Sequence, residues 1–82
     1  MRNNLRVERA RLKISQTVLA EALNVTRFAI RNIENNESVP TVFFALRAAH
    51  YFNVNPSYLF YLGEEDFDNE NKRFVRKETK TL

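Results

Sequence analysis

Between Ser15 and Asn36 the chain carries two complete sets of helix start and stop signals in immediate succession, which leaves this stretch few ways to fold. Ser15 offers a hydroxyl to an unpaired backbone N–H and opens a helix running to about Leu23, with Val18, Leu19, Ala22 and Leu23 facing inward. Asn24 tolerates the left-handed conformation that ends it. Thr26 then caps a second helix to about Glu34, with Val25, Ala29, Ile30 and Ile33 as its buried stripe, and Asn35-Asn36 closes it. Two short helices joined by so tight a turn must meet at a steep angle. Ala20 is small where they cross, Val25 plugs the turn, and Ile30 and Ile33 hold the second helix against the body. The opposite face of that helix therefore projects outward.

The flanking segments are also helical in pattern. One helix spans about Asn4 to Leu12, amphipathic through Leu5 and Leu12, with Arg6, Arg9 and Lys13 outward and Glu8 placed to pair with Arg11 or Lys13. Another begins after Pro40-Thr41 and reaches Phe52, with Val42, Ala45, Leu46, Ala49 and Phe52 on one face. Asn55-Pro56 opens a fifth, because proline at the first helical position forfeits no hydrogen bond, and Leu59, Phe60 and Leu62 supply its apolar contacts. The expectation is an all-α, five-helix domain over residues 1–62. Composition changes at Gly63, so residues 63–82 read as a charged tail, either flexible or assisting a dimer.

With no cysteine, thiolate metal sites, disulfides and cysteine nucleophiles are excluded, and a reducing cytoplasm is the natural setting. The longest apolar run, Val42 to Leu46, is far short of the ~20 residues needed to span a bilayer, so no membrane role is expected. No paired carboxylates, metal-ligand cluster, nucleophile with base or glycine-rich phosphate loop can be assembled; the chain reads as no enzyme, without cofactor or metal. Residues 1–62 hold eight basic and four acidic side chains, a net +4, against −1 in the tail. A basic folded body attracts polyanions through its summed field and through counterion release.

The outward face of the helix after Thr26 carries Arg27, Phe28, Arg31 and Asn32, with Gln16 and Thr26 near helix ends. Arginine grips guanine O6 and N7 with two parallel bonds, asparagine and glutamine do the same for adenine, and a phenyl ring can meet a thymine methyl. The N-terminal ends of both helices present unpaired N–H groups and a positive dipole end suited to phosphate. These side chains suit the major groove of double-stranded DNA.

The run Ile14-Ser15-Gln16 through Ala20, Leu23, Asn24-Val25-Thr26, Ile30, Ile33-Glu34-Asn35 and Pro40, continued by Leu46, Ala49, Phe52-Asn53-Val54 and Leu59-Phe60, resembles the pattern of the Cro/CI-like (XRE) helix-turn-helix regulators of the phage-repressor type, over about residues 4–62. The resemblance implies a five-helix domain that binds operator DNA as a homodimer on two half-sites about one helical turn apart. It further implies that Gln16 braces backbone and base contacts, that Thr26, Arg27, Phe28, Arg31 and Asn32 face DNA, and that Asn35 touches phosphate. Asn24 stands where the family has a glycine, Phe28 where it has a polar reader, and Glu8 where an apolar residue is common.

Three features fall outside that pattern. Phe43 shares a polar stripe with Arg47 and His50, and an exposed phenylalanine there asks for the tail or a second subunit as partner. His50 is the lone histidine and reads as a surface residue. In the tail, Phe74 and Arg76 alternate with Arg73, Val75 and Lys77 as in a strand. The leading functional expectation is a transcriptional repressor; the alternative is a protein-interaction module, such as the antidote of a toxin–antidote pair, docking through the aromatic helices. A chain of this length has no room for a ligand-binding domain, so a regulatory protein partner is one route by which signals reach it.

Overall fold

The structure, a computed structural model, describes residues 1–68 together with the backbone of 73–74 and 80–81. The elements in chain order are β1 (Arg2–Asn3), α1 (Leu5–Leu12), α2 (Gln16–Leu23), α3 (Arg27–Glu34), β2 (Ser38–Val39), α4 (Val42–Phe52), α5 (Pro56–Leu59), β3 (Phe60–Tyr61), a 3-10 turn at Glu64–Asp66, β4 (Phe67–Asp68), β5 (Arg73–Phe74) and β6 (Lys80–Thr81). The fold is all-α in substance, with two-residue strands added. β1 pairs antiparallel with β3, β2 parallel with β6, and β4 antiparallel with β5. The expected tail strand is present as β5; Val75, Arg76 and Lys77 lie outside the described residues.

Helix ends follow from local hydrogen bonding. Ser15, Thr26 and Thr41 each accept from the backbone N–H three residues on, and Asn55 accepts from Ser57. At the other ends Lys13, Asn24, Asn36 and Asn53 all adopt positive φ, between 55° and 61°. In each case the next residue donates its N–H five residues back, as in Val25 to Ala20 at 3.0 Å and Val54 to Ala49 at 3.0 Å. After three of these turns an apolar residue, Ile14, Val25 or Val54, packs on the core. Asn24 thus does what was expected of it, and Lys13 ends α1 rather than extending its outer face. A left-handed lysine is strained where glycine is not, so Lys13→Gly is expected to stabilise the protein by about 0.5–1 kcal/mol, seen as a rise of about 2–6 °C in Tm.

The core is built from Leu5, Leu19, Ala20, Leu23, Ile30, Ile33, Phe44, Ala48, Ala49, Phe52, Leu59 and Phe60. Three inward faces differ from the sequence reading. In α1, Leu12 is partly exposed while Glu8 is buried and Arg9 is turned inward. In α2, Val18 and Ala22 are exposed beside buried Leu19, Ala20 and Leu23. In α4 the buried residues are Phe44, Ala48, Ala49 and Phe52, whereas Val42 is 76% and Leu46 52% exposed. Apolar residues surround α4 on nearly every side, so its periodicity does not choose a face; Phe44 does, through edge-to-face contact with Phe60 at 6.3 Å. Past α5, Phe60 is buried within β3 and Leu62 is exposed, so the apolar contacts expected of the fifth helix reduce to Leu59 and Phe60.

Glu8 joins the first and last helices. Its carboxylate accepts from Arg11 at 2.8 Å and from the Tyr58 hydroxyl at 2.9 Å. Burial pushes the Glu8 carboxyl up, and the hydrogen bonds from Arg11 and Tyr58 outweigh it and hold the group below its ordinary value.

Candidate nucleic-acid interface

α2 and α3 pack through Leu19, Ala20, Leu23, Ile30 and Ile33, all buried, with Ala20 small at the crossing and Val25 packed against the same core. With one side of α3 committed to that core, the other is left to solvent. Arg27 and Arg31 are exposed, Phe28 is 66% exposed, and Asn32 is half-buried beside them. Arg31 holds its guanidinium 6.0 Å from the Phe28 ring centroid and donates to Asn32 Oδ1 at 3.4 Å. Phe28 and Asn32 thereby limit the directions in which the guanidinium can reach. Neither α2 nor α3 has an acidic residue in its own first turn, which leaves the exposed start of α3 suited to an anion.

Thr26 uses its Oγ1 to accept from Ala29 N–H at 3.0 Å, which fixes where α3 begins. Gln16 and Asn35 are grouped differently, around one buried carboxylate. Glu34 has a fully buried side chain and accepts from Arg9 Nε at 2.6 Å, Arg9 Nη2 at 3.0 Å and Gln16 Nε2 at 3.1 Å. Arg6 approaches it to 3.6 Å and donates to Asn35 Oδ1 at 3.0 Å. Burial pushes the Glu34 carboxyl up; hydrogen bonds from Arg9 and Gln16, with the charges of Arg9 and Arg6, overcome this and hold it below the usual carboxylate range. The same hydrogen bond and ion pair raise the Arg9 guanidinium.

The seven residues expected at a DNA surface therefore fall into two groups. Thr26, Arg27, Phe28, Arg31 and Asn32 lie at the start and along the outer side of α3, while Gln16 and Asn35 are tethered to the Glu34 cluster. Glu34, Arg9 and Arg6 lie outside the surface expected from the sequence. One signal was available for Glu34: it sits four residues after Ile30 and next to Ile33, so it lies on the buried stripe of its own helix.

The tight α2–α3 pair, the uncovered outer side of α3 and the basic body around them define a helix-turn-helix protein, and comparison with known sequences agrees. The helix-turn-helix family model matches residues 5–59, and the chain belongs to this family, the Cro/CI-like (XRE) regulators, whose members are DNA-binding transcription regulators. It is similar to a Bacillus subtilis (strain 168) protein described as "Uncharacterized HTH-type transcriptional regulator YgzD", with 35% identity over 66 residues, covering 80% of this chain and 100% of that protein. Among the described residues no helix is long and apolar enough to cross a membrane.

Proposed function

We propose that the protein is a cytoplasmic repressor that binds a palindromic operator as a homodimer and reads it with the outer side of α3. The observation that carries this reading is that Arg27, Phe28 and Arg31, on the second helix of the motif, are all exposed while the other side of that helix anchors the core. Arg27 and Arg31 are assigned to base edges, Phe28 to a thymine methyl, and Asn32 to an adenine. Gln16, Thr26 and Asn35, at helix ends, are assigned to the sugar–phosphate backbone beside them. Occupancy of a promoter by a domain of this size obstructs polymerase without further machinery, which favours repression over activation. Residues 1–62 are the DNA-reading body, and the tail from Gly63 assists pairing of two copies.

Selection of a random duplex pool by the purified protein, at two salt concentrations, tests the reading. An enriched inverted repeat with half-sites about ten base pairs apart is the expected result. Recovery of no motif, with binding that simply fades as salt rises, would remove the operator and favour the protein-interaction module. On the selected site, Arg31→Ala is expected to cost about 1–3 kcal/mol and to relax preference at one base pair. An equal loss on every sequence would reassign Arg31 to phosphate.

A further inference from the structure

We propose that the groove between α2 and α4 is a docking site for an acidic amphipathic helix of a partner protein. An open groove of about 410 Å³ runs along this side of the molecule. Ala22 and Leu23 form the α2 wall, and Phe43, Leu46 and Tyr51 form the α4 wall. Phe43 is 69% exposed, and with exposed Val42 and Leu46 it makes one continuous apolar strip along α4 that the core does not use. An apolar strip rimmed by polar groups is how a soluble protein presents a surface for another protein.

Charge decides the occupant. Among the described residues the nitrogen-bearing side chains lining the groove are Arg47 and His50, and no carboxylate lines it. Arg47 rests over the Phe43 ring at 5.3 Å and has no carboxylate partner among the described residues. Two copies pairing through this face would bring only these cationic and donor groups together, with no acid to answer them. A helix whose apolar anchors recur at i, i+3, i+4 and i+7, flanked by Asp or Glu, fills the apolar walls and pairs with Arg47 and His50 at once. No α3 residue lines the groove, so the partner helix and DNA occupy different faces of the protein.

The test uses the full chain, isotopically labelled, and two synthetic helical peptides of about 14 residues that share one leucine pattern, with Glu flanks in one and Lys flanks in the other. The Glu peptide is expected to bind saturably, to shift the amide signals of Ala22, Leu46 and His50, and to bind roughly ten-fold or more tightly than the Lys peptide. Arg47→Glu, a surface change whose folding is checked by circular dichroism, is expected to reverse that preference, and Arg47→Gln to abolish it. Equal binding of the two peptides, no saturable binding, or shifts confined to other residues would overturn the proposal. So would sedimentation of the free chain as a dimer together with concentration-dependent shifts at these same residues, which identifies a second copy as the occupant, or equivalent shifts on adding duplex DNA alone. The peptide titration contains no DNA, so its outcome is independent of the operator reading.

Discussion

Replacing Glu34 by alanine is expected to destabilise the protein by about 3–5 kcal/mol, read from urea unfolding followed by circular dichroism, because it strips the partner from an arginine that is already largely out of water. The Arg9 side chain is 15% exposed and spends two of its donors on Glu34, at 2.6 and 3.0 Å. Small domains hold roughly 5–15 kcal/mol in total, so a loss of this size leaves the helix-turn-helix marginal at best. The double change Glu34→Leu with Arg9→Met, which removes both charges and keeps the volume, should recover most of the loss, since a buried ion pair can be replaced by apolar packing at little cost. A Glu34→Ala variant within about 1 kcal/mol of the original would mean that the pair contributes nothing.

The same carboxylate sets a pH window. Its folded-state pKa is lowered relative to the unfolded chain, so its contribution is fully present above the ordinary glutamate value of about 4.3 and is lost as pH falls through the lower folded value. Stability of the original protein should therefore decline below about pH 4 more steeply than that of Glu34→Gln, which has no proton to take up there. Parallel decline of the two would assign the acid sensitivity to other groups, Glu8 first, whose carboxyl is also held down. Gln16 donates to Glu34, and Arg6, close to Glu34, donates to Asn35, so Glu34→Ala should also loosen these side chains and weaken DNA binding beyond the loss of fold.

Adjacent residues on α2 give the second large effect. Leu19→Ala is expected to cost about 2–5 kcal/mol, because Leu19 is fully buried where α2 meets the core, and a cavity between α2 and α3 would shift the angle at which α3 is presented. Val18→Ala should stay within about 0.5 kcal/mol, since Val18 is 45% exposed on the neighbouring side of the same helix. Thermal unfolding of the two variants in parallel distinguishes the observed rotation of α2 from the one expected from its pattern, which placed both residues inward. Comparable losses would mean that Val18 is covered.

The α2–α3 pair was legible because everything that builds it is local: Ser15 and Thr26 cap with their own hydroxyls, Asn24 turns the chain, and Val25 follows it into the core. Arg27, Phe28 and Arg31 were legible as outward-facing for the same reason, since one strongly apolar stripe through Ala29, Ile30 and Ile33 leaves a single polar side. The Glu34 cluster was not legible. It joins Arg6 and Arg9 of α1, Gln16 of α2 and Asn35 at the end of α3, and no spacing rule within one helix reports a partner on another.

The amino-acid sequence by itself determined the number and order of the helices, the ends of the first four and the outer side of α3, because capping, left-handed turns and a single apolar stripe involve only residues within a few positions of one another. Only the tertiary structure decided the rotation of α4, the exposure of Phe43 and Leu46, the burial of Glu8 and Glu34, and the inward turn of Arg9. Those depend on which volumes and charges distant segments bring to the same place: Phe60 to Phe44, Tyr58 to Glu8, and Arg9 to Glu34.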